Sequence, residues 1–305
     1  MRIGVDLGGS KIEALALADD GAELRRLRVP SPQGDYQAIV VAIRDLVAAV
    51  RAGLGSAGTP VGVAIPGAIS LASGLIKNAN STALIGKPFD VDLAAALGAP
   101  VRLANDANCF ALSEATDGAA RGADSVFGVI VGTGTGAGIV LGGRLHEGPN
   151  LIAGEWGHVP LPWPEDDERP GPPCYCGRRG CIETFLSGPG LSLSYEGMAG
   201  RVLTAREIAA LAARGDGVAE ACLARYERRM AKSLGLVISI LDPAVIVLGG
   251  GLSNMPRLFE HVPALWGEYA FSDRLSTRLL PAEHGDSSGV RGAAWLWPPR
   301  DGGSS

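Results

Sequence analysis

Apolar residues recur along the chain in two rhythms, one of short β-branched runs and one of helical spacing. Residues 2–7 (RIGVDL), 12–18 and 23–29 are runs of the first kind, and GGSK between the first two predicts a hairpin. Ile39, Ile43, Leu46, Val47 and Val50 carry the second rhythm and predict a helix over 35–52. VGVAI (61–65) predicts a buried strand ended by Pro66-Gly67, and residues 90–97 a short helix with Asp90 as N-cap. VRLAN (101–105) predicts a strand that feeds a helix starting near Asp106. The same order restarts near residue 125. VFGVIV (126–131), a glycine-rich turn and GIVLGG (138–143) repeat the strand, turn, strand plan. Helices follow over 204–213 and 217–241, the second with Val218, Cys222, Tyr226, Met230, Leu234, Ile238 and Leu241 at three- or four-residue steps. AVIVLGGG (244–251) is a strand running into glycine, and a last helix spans about Ser287–Trp297. The expectation is an α/β chain of two halves. They divide as 1–117, joined by the C-terminal helix within 287–305, and 118–286.

Charge and composition narrow the function. With 27 basic and 32 acidic residues the net charge is −5, which argues against a nucleic-acid-binding chain while leaving small anionic ligands open. Two uncharged runs, 52–76 and 126–143, are long enough to span a bilayer. The first holds six Gly and two Pro and the second seven Gly, so both read as strands and turns. Asp6 interrupts the first apolar run and no leader is expected, so the expected location is the cytoplasm. Of five cysteines, three crowd into 174–181, a pattern for a metal site in a reducing compartment rather than a disulfide scaffold.

The 44 glycines concentrate attention on three turns. In Asp6-Leu7-Gly8-Gly9-Ser10-Lys11, glycines let main-chain N–H groups approach an anion, Ser10 adds a hydroxyl, and Asp6 can hold Mg²⁺. A hairpin that merely needs positive φ reads equally well. Gly132-Thr133-Gly134-Thr135-Gly136-Ala137-Gly138 offers amides and hydroxyls along one edge, and again a plain hairpin is the alternative. Gly249-Gly250-Gly251 follows a strand where a bulky side chain would block a flat ring.

Asn105-Asp106 sits where a strand gives way to a helix, which exposes side chains at a sheet's carboxyl edge. Asp106 is either a proton acceptor or an N-cap. Glu155, His158 and Glu183 are further polar groups suited to a polyhydroxyl substrate. His158, Cys174, Cys176 and Cys181 match a closed Cys₃His zinc site, whose metal would pin the loop of six Pro and four acids at 160–173. Redox or plain buried thiols are the alternative.

Together GVDLGGSK (4–11), GEWGH (154–158), CYCGRRGCIE (174–183) and HGDSSGVRGAAWLWP (284–298) resemble the ROK family of sugar kinases and repressors. The resemblance implies the actin/hexokinase-like (ribonuclease H-like) ATPase fold, with two α/β lobes and a cleft. By position it implies ATP contacts at Gly4, Asp6, Gly8, Gly9, Ser10 and Lys11, at Thr133, Gly134, Thr135, Gly136 and Gly138, and at Gly250 and Gly251. It makes Asp106 the catalytic base, and places Asn80, Asn105, Asp106, Glu155, His158 and Glu183 at the sugar, with His158 also on structural zinc. Ser10 stands where the family commonly has Thr, and keeps the hydroxyl.

KNANST (77–82), LANDANC (103–109) and GEWGH-x-PLPW (154–163) look most like the bacterial fructokinase (mannokinase-type) branch. The implied activity is ATP- and Mg²⁺-dependent phosphorylation of fructose to fructose 6-phosphate in a homodimer. N-acetylglucosamine, mannose or glucose is the alternative acceptor. A repressor is not expected, because the first strand begins at Arg2 and leaves no room for a preceding winged-helix domain.

Overall fold

The computed structural model describes residues 1–55, 58–79 and 81–298. In chain order its strands are β1 (Arg2–Leu7), β2 (Lys11–Leu17), β3 (Glu23–Pro30), β4 (Val61–Ile65), β5 (Ala68–Ile69), β6 (Ile76–Lys77), β7 (Val101–Asn105), β8 (Ser125–Val131), β9 (Thr135–Leu141), β10 (Arg144–Leu145), β11 (Val245–Gly249) and β12 (Arg278–Pro281). The helices are α1 (Tyr36–Arg51), α2 (Phe89–Leu97), α3 (Asp106–Thr116), α4 (Glu183–Leu186), α5 (Gly188–Ala199), α6 (Ala205–Ala212), α7 (Gly217–Leu241), α8 (Leu258–Leu265) and α9 (Ser288–Trp295). The chain forms two compact units, one of Met1–Gly118, Glu147–Ile152 and the stretch from Asp286, the other of Ala119–His146 and Ala153–Gly285. The segment Glu147–Ile152, expected with the second half, belongs with the first unit because its contacts lie there.

The first unit carries a sheet in the order β3-β2-β1-β4-β7, antiparallel across β3-β2-β1 and parallel across β1-β4-β7. Strand alternation sorts its side chains. Ile3, Val5, Leu7, Ile12 and Ala14 pack with Ile39, Ile43 and Val47 of α1, whereas Leu15 and Leu17 pack with Val290 and Ala294 of α9. The α9 face is closed by glycine. A Cβ on Gly4 would lie 2.1 Å from the Val290 carbonyl oxygen, one on Gly62 1.8 Å from that of Ala293, and one on Gly292 1.7 Å from that of Cys109.

The second unit repeats the topology as β10-β9-β8-β11-β12, with β8-β9 antiparallel and β8-β11-β12 parallel. Its core joins Phe127, Val129, Trp156, Ile182, Tyr226, Leu234 and Trp266. As the helical period predicts, Cys222, Tyr226, Met230, Leu234 and Ile238 of α7 are buried, while Val218 faces solvent. The helices α5 and α8 and strand β12 lie in stretches the hydrophobic pattern left unassigned. Gly188, Gly190 and Pro189 obscure the period of α5, and Pro263 interrupts that of α8. Helix α2 begins one residue earlier than expected, with Pro88 at the N-cap and Asp90 inside the first turn. No helix among the described residues is long and apolar enough to cross a membrane.

Candidate functional site

In the first unit, Asp6 is the penultimate residue of β1, and Asp106 opens α3 directly after β7. Asn105 is the N-cap of α3: its side-chain oxygen accepts the Ala107 N–H at 2.8 Å, and Asp106 Oδ1 accepts the same N–H at 2.8 Å. Capping thus falls to Asn105, which corrects the reading of Asp106 as the cap and commits the Asn105 oxygen to the helix. Asp6 is half-buried, and its carboxyl is pushed up to about 6, first by loss of solvent and then by the charges of Asp106 and Glu13, with Lys11 opposing. Glu13, 1% exposed on β2, is itself held by Arg26 at 2.5 Å and Arg28 at 2.7 Å, with Lys11 at 3.7 Å. Clustered acids at the end of a strand are the oxygen-rich surroundings that suit Mg²⁺. Glu13 was missed in the sequence; an acid at an inward-facing strand position among apolar neighbours was the available signal.

The turn beside Asp6 lacks the positive-φ glycines of the plain-hairpin reading. Neither Gly8 nor Gly9 has a left-handed φ, so the hairpin does not need them for positive φ. The Gly8 N–H donates to the Lys11 carbonyl at 3.0 Å, and the Gln33 side-chain amide donates to the Gly9 carbonyl. The space where a Gly9 side chain would lie is open to 4 Å, room that a ligand can use. Gly4, by contrast, lies within β1 under α9, so its lack of a side chain answers packing and not a nucleotide. Asn80 lies outside the described residues.

In the second unit the glycine turn is shorter than expected. Gly132 closes it by donating to the Gly134 carbonyl at 2.9 Å, and Thr135 to Gly138 are already strand, with Gly136 opposite Ile130 and Gly138 opposite Gly128. Glu183 reaches this turn: its Oε2 accepts the Thr135 N–H at 3.0 Å and occupies the place a Gly134 side chain would take, 2.8 Å away. One of the amides expected for phosphate is therefore held by Glu183. Gly250 has φ 82° and backs onto the Val131 carbonyl, 2.4 Å from where its Cβ would lie, whereas Gly251 faces open space.

His158, Cys174, Cys176 and Cys181 are brought together, with all four ligand atoms within 4.8 Å of one another. His158 Nδ1 lies 3.5 Å from Cys174 Sγ, and Cys176 Sγ 3.6 Å from Cys181 Sγ. A tetrahedron of Zn–S bonds near 2.3 Å has edges of about 3.8 Å, so donor set and spacing both fit zinc. Burial pushes the Cys181 thiol up to about 12, while the Arg178 amide draws Cys176 down. Tyr175, between two of the cysteines, sets its hydroxyl 2.8 Å from His158 Nε2 and its ring edge-on to the imidazole at 5.0 Å. The proline-rich loop has a second anchor. Buried Glu168 accepts from Arg229 at 2.7 Å and Lys232 at 2.5 Å, both on α7, and Lys232 also donates to the Trp163 carbonyl.

A profile of the ROK family matches residues 2–300. The chain belongs to the ROK family. Among its relatives, this ROK protein is 42% identical over 310 residues to the N-acetyl-D-glucosamine kinase of Shigella flexneri serotype 5b, covering 97% of the chain and 99% of that protein. The ROK hexokinase from Thermus thermophilus superposes with a TM-score of 0.85 at 32% identity, covering 96% of both chains. The ROK glucokinase of Streptomyces griseus, solved with glucose and AMPPNP, gives 0.76 at 28% identity over 97% of this chain and 98% of its own. The fold of this ROK protein is accordingly the actin/hexokinase-like fold. The curated relatives are N-acetylglucosamine kinases, which departs from the fructokinase expectation.

Proposed function

We propose that this ROK protein is an ATP-dependent sugar kinase that phosphorylates a hydroxyl of N-acetyl-D-glucosamine. The full-length likeness to N-acetylglucosamine kinases carries the choice of acceptor. Fructose is the second reading, favoured by KNANST at 77–82 and the HGDSSGVRGAAWLWP segment at 284–298. Asp106 accepts the proton of the attacking hydroxyl. The Ala107 N–H at 2.8 Å and the start of α3 hold its carboxylate in one orientation for that transfer. Asp6 would hold Mg²⁺, which when bound would neutralise charge on the transferred phosphoryl. Open space at Gly9 and Gly251 admits the nucleotide. In the second unit, Glu155, His158 and Glu183 bind sugar hydroxyls, and Glu183 at the same time fixes the Thr135 turn.

Zinc on His158 and the three cysteines is structural: all four positions are filled by protein, so none is left for substrate. Cys181→Ser should lose one zinc per chain, read by metal analysis, and lower Tm by about 5 °C or more. Unchanged Tm in the zinc-free protein would remove the structural role. An ADP-release assay across N-acetylglucosamine, fructose, mannose and glucose tests the acceptor. The highest kcat/KM is expected for N-acetylglucosamine; a higher value for fructose establishes the second reading, and no turnover with any of them overturns both.

A further inference from the structure

A histidine that holds a metal through Nδ1 carries its proton on Nε2, and that N–H is ordinarily fixed by a carboxylate or carbonyl. In this centre the partner is the phenol of Tyr175, with its oxygen 2.8 Å from His158 Nε2. Tyr175 sits between Cys174 and Cys176 on the same loop, is 82% exposed, and touches the imidazole only edge-on. A single hydroxyl thus stands on one of the side chains assigned to sugar hydroxyls, carried by a side chain with little packing to hold it there.

We infer that Tyr175 is a displaceable positioning residue of the sugar subsite: its hydroxyl stands on the His158 N–H where a hydroxyl of the sugar is to bind, and it leaves when the sugar arrives. The inference rests on the reading of His158 as a sugar ligand. Before binding, the phenol oxygen accepts the His158 Nε2–H, while the ring's orientation is set by its place in the Cys₃His cluster. On binding, one hydrogen bond is exchanged for another, so the sugar gains less from His158 than it would from an unpaired N–H.

Tyr175→Phe removes the competing oxygen and keeps the ring. Titration calorimetry of the zinc-loaded enzyme without ATP, using the sugar of highest kcat/KM, should show Kd lowered about twofold to tenfold, the worth of one hydrogen bond. Zinc content and Tm should match wild type. In wild type the same titration should give a tyrosine ultraviolet difference signal as the phenol moves into water, and Tyr175→Phe should lack it. An unchanged or raised Kd in Tyr175→Phe, or a wild-type difference signal that persists in the variant, overturns the inference. Failure of wild type to bind any of the four sugars overturns the sugar-kinase reading instead.

Discussion

Glycine does opposite work in two neighbouring regions of the first unit. Along the seam where α9 packs against the sheet and against α3, Gly4, Gly62 and Gly292 are needed because backbone of a facing element lies within 2.1 Å of where each Cβ would be. In the turn after Asp6, Gly9 has nothing within 4 Å and no left-handed φ, so neither packing nor conformation demands glycine there. Asp6 connects the two regions. It is the penultimate residue of the strand that leads into the turn, and its carboxylate lies 3.0 Å from the position of a Gly289 Cβ at the start of α9. Gly4, Gly62 and Gly292 are glycines for steric reasons, whereas Gly9 has none.

The largest separation between chemistry and seam should come from Asp106→Asn. It should lower kcat by about 10²- to 10⁴-fold with Kd for the sugar within a few-fold and Tm unchanged. Near-normal turnover would remove Asp106 as the base. Gly62→Ala strikes the seam alone: a methyl 1.8 Å from the Ala293 oxygen must push α9 outward, at a cost of about 3 kcal/mol or more in urea unfolding. Wild-type stability in that variant would mean that α9 can shift freely.

Asp6→Asn tests the residue between the two regions. A carboxyl that ionises near 3.8 in the unfolded chain and near 6 in the folded one leaves stability intact below about pH 4. That contribution is lost as pH rises to about 6, where the loss levels off at roughly 3 kcal/mol. Without added Mg²⁺, Asp6→Asn should therefore be more stable than wild type at pH 7.5 by about 1–3 kcal/mol, the gain fading below pH 4. Urea unfolding at the two pH values reads it, and no gain at pH 7.5 would contradict burial as the cause. Gly9→Ala should have the smallest effect: stability within about 0.5 kcal/mol of wild type, and KM for ATP raised about tenfold. A large loss of stability there would place Gly9 with the seam.

The Cys₃His cluster shows the same division in what was legible. Cys174, Cys176 and Cys181 are close in sequence, so the chain itself keeps them near one another, and His158 fell within 4.8 Å of them as expected. The Asn105-Asp106 step was legible because a strand feeding a helix fixes where both side chains emerge. Glu183 on the Thr135 amide was not legible, since the two are 48 residues apart and only folding makes them meet. Glu168 was one of four acids in the proline-rich loop, and 61 and 64 residues separate it from the Arg229 and Lys232 that pay for its burial. For the acceptor sugar the two kinds of signal diverge: short segments shared by a branch point to fructose, whereas the likeness over the whole chain is to N-acetylglucosamine kinases.

By itself the sequence determined the strand and helix periods, the α/β class, the cysteine-rich metal set and the family. Each of these is written in residues a few positions apart, where local geometry follows directly from side-chain type. Only the tertiary structure decided which glycines are steric and which are open, which amide of the second turn is taken, and that loss of solvent, Asp106 and Glu13 together raise the Asp6 carboxyl. Those outcomes depend on backbone and charge brought close from distant parts of the chain, and the energy of a short contact or a buried charge turns on ångströms that residue order does not contain.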